Sequence, residues 1–276
     1  MANIKQVTVI DGSSTSVWSA LRELGAYREL IGRLAFRGIK LRYTQSILGP
    51  LWVLVEPILS MIVFTLVFSG ILNVDYGNIP PPLFNFSGLV IWTFFVNALA
   101  NVTLSLTSNM NLVTKIYVPR LILPLVGAIT PLLDLVVALL LLFVLMLLYS
   151  APIYATILLV PFFVLAAMGF VMAIGLILAI INTRYRDIGY ALPMLMRVLI
   201  YTTPVIYPIA LVPQQWRWVY ELNPMAHVVQ GFRWCLLQDE PVNVPAFTVS
   251  LVLMLAVLAF SIVYFQRNQR TIVDRL

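Results

Sequence analysis

Three ionisable side chains, Glu56, Asp134 and Arg197, fall inside apolar runs long enough to cross a membrane. A charge at membrane depth is costly, so such groups face a partner or a water-filled path. They read as a polar conduit or proton relay, or as groups that pair with one another or with polar neighbours and lock helices together. Type and spacing serve both readings. Other catalytic sets are missing. None of the three lysines, Lys5, Lys40 and Lys115, follows a glycine, so there is no GxxxxGK loop to cradle a phosphate. The one histidine, His227, has no cysteine or second histidine at ligand spacing, which points to a hydrogen-bonded structural residue and away from a metal. The single cysteine, Cys235, excludes an intramolecular disulfide and a multi-cysteine metal site. No metal or cofactor is expected on this chain.

Aromatic residues are frequent in the same apolar runs: Trp52, Phe64, Phe68, Trp92, Phe94, Phe95, Tyr201 and Tyr207. Sugar rings present an apolar C–H face, so rings lining a wide path would let a glycan slide without being gripped. Anchoring at the lipid interface is the alternative, and it is the expectation for Trp92 and Tyr207 near span ends.

The elements that position these residues follow from composition. The chain has 276 residues, 61% hydrophobic and 10% charged, whereas a soluble domain is about a quarter charged. Its apolar residues gather into runs of the length needed to cross about 30 Å of hydrocarbon at 1.5 Å per residue. They do not alternate with polar ones, as barrel strands would. The fold class is therefore all-α: a polytopic membrane protein with six transmembrane helices, an N-terminal amphipathic interfacial helix and short external re-entrant helices. Residues 1–15 form a tail, 16–46 the amphipathic helix, 47–265 the transmembrane domain and 266–276 a second tail. The spans are placed at 51–72, 83–106, 121–149, 153–181, 188–207 and 246–265. The stretch 226–237 is too short to cross and would dip into the membrane and return. No removable signal peptide is expected, since the first residues are polar and charged.

Six spans put both termini on one side. Fourteen of the seventeen Lys and Arg lie on that side and only Arg217 and Arg233 on the other, with Arg197 inside span five. By the positive-inside rule both termini are cytoplasmic. The net charge of +6 therefore serves orientation, and nucleic acid is not an expected partner.

Several short runs carry a family resemblance. At Arg42, Tyr43, Ser46, Leu48, Gly49, Trp52 and Pro57 the chain resembles the membrane subunit of bacterial polysaccharide ABC exporters, the permeases for O-antigen, capsule and teichoic acid. The run from Leu112 to Arg120 resembles the family's cytoplasmic coupling segment, and Asn182 to Asp187 the loop after span four. Thr203 to Tyr207 and Asn223 to Met225 resemble the segments flanking the external loop. Their order and spacing cover about residues 30–240.

The resemblance implies a homodimer in the bacterial inner membrane with two cytoplasmic ATPase subunits beneath, ATP and Mg being bound by those partners. It implies a lipid-linked polysaccharide as substrate and membrane lipid as surroundings. Coupling to the ATPase would fall on Asn109, Asn111, Lys115, Tyr117 and Arg120. Spans one and five would line the channel, making Trp52, Glu56, Phe64, Phe68, Arg197 and Tyr201 the lining candidates. The cytoplasmic entrance would carry Arg37, Arg42 and Tyr43. The coupling run read by itself is also consistent with a plain topology determinant. Rival readings are an ABC exporter of a drug or lipid, a proton-coupled carrier using Glu56 and Asp134, and a membrane enzyme. Two halves with matching broken spans would support the carrier, and a histidine and acid cluster would support the enzyme. Neither feature is present.

Overall fold

The computed structural model describes residues 25, 27–43, 51–110 and 119–273. The tail 1–15 and the first part of the amphipathic helix lie outside the described residues, as do Asn111, Lys115 and Tyr117 and the side chains of Arg42 and Tyr43. Among the described residues every regular element is helical.

Helix α1 is Arg28–Tyr43 and packs on the start of the third apolar run. Helix α2, Trp52–Phe64, continues as a π-helical turn, Thr65–Ile71. Helix α3 is Pro81–Ser108, opened by prolines whose missing N–H costs nothing in a first turn. Helices α4 (Ile122–Ile129) and α5 (Pro131–Leu148) form one long run in which Pro131 marks the joint. A short 3₁₀ turn, Ala155–Leu159, leads into α6, Val160–Arg184. Among the described residues five runs are long and apolar enough to cross a membrane: Trp52–Ile71, Pro81–Ser108, Ile122–Leu148, Ala155–Arg184 and Val244–Asn268. They correspond to expected spans one to four and six.

Expected span five differs in form. Its helix, α7, covers only Asp187–Leu199, about 20 Å at 1.5 Å per residue and short of the hydrocarbon thickness. Residues 200–207 run on as turns. Pro204 explains the break, because it donates no N–H and disfavours helical backbone at Thr203. After it come the small helices α8, Arg217–Glu221, and α9, Pro224–Leu237, and then the long α10, Val244–Val273.

Helix α3 is the axle. It packs against α6, α4, α5, α9, α2 and α7, and one face after another is buried from Leu83 to Leu106. Helix α2 sits at the periphery, with Leu59, Val63 and Leu66 exposed. In a bilayer such faces meet lipid or a second protein surface.

Candidate translocation path and coupling surface

At the start of α2 a cleft of about 270 Å³ opens between α2, α3 and α5. Trp52, Glu56, Thr93, Asn97 and Asp134 line it. The two acidic residues expected at membrane depth thus share one cavity. Arg197 is elsewhere, on the exposed surface of α7. Neither Glu56 nor Arg197 enters an ion pair among the described residues, so a lock made by Glu56 pairing with Arg197 is not what the structure holds.

Beyond the cleft the rings form a row. Phe64 and Phe68, one helical turn apart, meet edge to face at 6.3 Å. Phe68 stacks on Tyr207 at 6.5 Å, and Tyr207 meets Tyr220 at 6.4 Å. The Tyr207 hydroxyl donates to the Tyr201 carbonyl at 2.7 Å and accepts from the Tyr220 hydroxyl at 2.7 Å. Tyr201 itself is exposed. Tyr207 is therefore the hub of a row joining α2, the unwound stretch after α7, and α8. Its expected role as an interface anchor missed these contacts. Trp92 is not an anchor either. It is 5% exposed and lies 5.8 Å from the Phe95 ring, because α3 extends far past it in both directions and buries its middle.

The unwound stretch needs partners, since bare carbonyls are tolerated at membrane depth only where protein or water satisfies them. Arg233 of α9, 2% exposed, supplies two. Its Nη1 donates to the Pro204 carbonyl at 3.2 Å and its Nη2 to the Val205 carbonyl at 2.6 Å. The next carbonyl, Ile206, accepts from the Tyr76 hydroxyl at 3.2 Å. Burial raises the Tyr76 phenol above its ordinary value, so it stays protonated and able to donate. The guanidinium carbon sits over the Phe84 ring, 3.6 Å from its centre, a cation–π contact in a dry setting. Asp239 approaches Nη1 at 3.6 Å. Gly88 leaves room for all this: a Cβ there would lie 2.3 Å from the Val205 carbonyl oxygen and 2.5 Å from Nη2 of Arg233.

The start of α9 is tied to the same stretch. Asn223 caps α9 by accepting from the Met225 amide at 3.1 Å, with Pro224 in the first turn. Its Nδ2 donates to the Thr203 hydroxyl at 2.9 Å. His227 donates a ring N–H to the Glu221 carbonyl at 3.0 Å, the structural hydrogen bond expected of it. Sequence reading treated Arg233 only as one of two basic residues on the outer side. An arginine inside the apolar run 226–237 is itself the signal that a buried partner awaits it.

At the opposite end of α3, Asn109 donates to the Ser105 carbonyl at 2.9 Å and closes the helix. The described chain resumes at Pro119, with Arg120 just before α4, so the expected coupling run lies between α3 and α4 in the sequence. Arg37 lies exposed on α1, which packs against α4.

This architecture has known relatives. Residues 29–237 match the profile of the ABC-2 type transporter membrane domain. The chain belongs to the ABC-2 type transporter family. Among similar proteins, the O-antigen export system permease protein RfbA of Myxococcus xanthus is 31% identical over 215 residues, 77% of this chain and 82% of that protein. A protein of the same name from Klebsiella pneumoniae is 23% identical over 211 residues, 76% of this chain and 81% of that one. As an ABC-2 type permease the chain is a transport subunit. The cleft, the row of rings and the unwound stretch are parts of its membrane domain.

Proposed function

We propose that this permease forms, as a homodimer, the channel of an ATP-driven exporter that moves a lipid-linked, O-antigen-like polysaccharide across the bacterial inner membrane. Two partner ATPases bound at the cytoplasmic side supply the energy, with ATP and Mg on those subunits, and both termini of the permease are cytoplasmic. One observation carries the substrate: the similarity to an O-antigen export permease extends over about four fifths of that protein. The geometry supports it. Phe64, Phe68, Tyr207 and Tyr220 offer a run of ring faces and hydroxyls suited to the C–H faces and hydroxyls of a sliding glycan. The missing phosphate loop agrees with an energy source outside this chain. Coupling falls on the run from Asn109 to Arg120, and the entrance on Arg37, Arg42 and Tyr43.

A second reading, proton-coupled transport, is favoured by one observation, the shared cleft of Glu56 and Asp134. Purified permease with its ATPase in vesicles separates the two. Export that requires ATP supports the exporter. Movement of solute by the permease alone, without nucleotide, would overturn it.

A further inference from the structure

The base of span five is tied to the base of α3 through one side chain. Asn182, in the last turn of α6, is 2% exposed. Its Oδ1 accepts from the Gly189 amide of α7 at 3.0 Å, an amide that also reaches the Arg186 carbonyl at 3.1 Å. Its Nδ2 donates to the Thr107 hydroxyl of α3 at 3.3 Å. Gly189 is the third residue of α7, and Arg186 at the cap position offers no side-chain hydrogen bond. Asn182 thus performs for α7 the capping task usually done by the residue that precedes a helix.

Three elements meet at this point, and the contact is close. A Cβ on Gly189 would lie 3.0 Å from Leu104 Cδ2 of α3 and 3.2 Å from Asn182 Oδ1. Thr107 is two residues before Asn109, where the coupling run begins. Helix α7, on the other side of the joint, carries the exposed Tyr190, Met194 and Arg197. A buried amide with a donor and an acceptor committed to different helices holds them in one register, because sliding either one leaves a buried polar group unpaired.

We infer that Asn182 is a positioning residue for transport, the joint through which displacement of the coupling run at the end of α3 is passed to α7. This rests on the exporter reading above and adds to it the route by which the ATPase stroke reaches span five. Removing the joint therefore leaves nucleotide hydrolysis running while export falls.

The test uses the permease with its partner ATPase. ATP hydrolysis is measured on the purified complex, and export as surface carbohydrate, by periodate staining of cells whose own copy is replaced by each variant. Thr107→Val cuts the α3 bond and leaves the α7 cap, so helix formation is not at stake. Asn182→Ala cuts both bonds. Thr107→Ser keeps both, since a serine hydroxyl still accepts from Asn182 Nδ2 while donating to the Leu104 carbonyl, as Thr107 does at 3.1 Å. The expected result is a fall of about fivefold in export per ATP for Thr107→Val and Asn182→Ala, the scale of one lost hydrogen bond. Thr107→Ser stays near wild type, and the Thr107→Val/Asn182→Ala double variant falls no further than Asn182→Ala, as expected of residues acting in one bond. Export per ATP unchanged in Thr107→Val and Asn182→Ala would overturn the joint, as would losses that only follow the amount of permease in the membrane. Surface carbohydrate that persists when the wild-type chain is deleted is a different failure: it sinks the exporter reading itself.

Discussion

Replacing Arg233 by methionine tests how the unwound part of span five is held. Methionine keeps the length of the stem and removes the guanidinium. The Pro204 and Val205 carbonyls, now accepting at 3.2 and 2.6 Å, are left without these donors, at a cost of about 1–3 kcal/mol each. The contact with the Phe84 ring at 3.6 Å adds about 2 kcal/mol when desolvated. Against this, a buried charge no longer has to be kept out of water, which returns several kcal/mol. The net is a loss of about 3 kcal/mol, in the range found when a buried charged network loses one member. For a chain of this size about 1 kcal/mol corresponds to about 2–4 °C in melting temperature. Arg233→Met should therefore melt about 6–12 °C below wild type in the same detergent, read from the fraction that still elutes as a sharp peak after heating. Arg233→Lys should fall between the two, because one ammonium cannot present the flat fork that spans two neighbouring carbonyls. Asp239→Asn should cost less than either, since its 3.6 Å approach is longer than the carbonyl bonds. A melting temperature for Arg233→Met within about 2 °C of wild type, a shift worth under about 1 kcal/mol, would refute the reasoning.

Three other outcomes follow from the same geometry. Gly88→Ala places a methyl 2.3 Å from the Val205 carbonyl oxygen, so the stretch or α3 must shift, and the melting temperature should drop by an amount matching about 1–3 kcal/mol of overpacking. Tyr207→Ala removes the hub of the ring row and should lower export severalfold while ATP hydrolysis continues, whereas Tyr207→Phe, which keeps the stack, should lie close to wild type; equal loss in both would place the role in the hydroxyl bonds. Reversing charge at Lys115 or Arg120 should uncouple hydrolysis from export, checked by ATP consumed per unit of surface carbohydrate.

Helix existence was legible from the chain because lipid leaves the backbone few options. The edges of expected spans one to four lie within about three residues of the helices, as does the start of the sixth, since apolar length and polar flanks are properties of single segments. Span five was legible as an apolar run but not as a broken one. Its Thr203 and Pro204 stood in the sequence, yet whether a proline kinks a helix or ends it depends on what donates to the freed carbonyls. Here the answer is Arg233, some thirty residues on, and Tyr76, far upstream. The cleft was half legible: Glu56 and Asp134 were singled out by cost, but their convergence on one cavity depends on how α2 and α5 are seated around α3. Tyr207 was misread because its position near a span end suggested lipid, while its contacts come from α2 and α8.

Buried polar side chains grip span five where it begins and where it unwinds, and energetics explains why. Between lipid and an apolar helix there is no hydrophobic force to set rotation or depth, so apolar packing alone leaves a short helix free to slide. Helix α7 is about 20 Å long and cannot be held by its length against the bilayer. Its lower end is fixed instead by the Asn182 amide to Gly189, and its continuation by the Arg233 guanidinium on Pro204 and Val205. Both grips act on backbone atoms, so they specify position without fixing which side chains α7 shows to the other side. On the exporter reading, that leaves the exposed face bearing Tyr190, Met194 and Arg197 open to suit a passing substrate, beside the ring row of Phe68 and Tyr207.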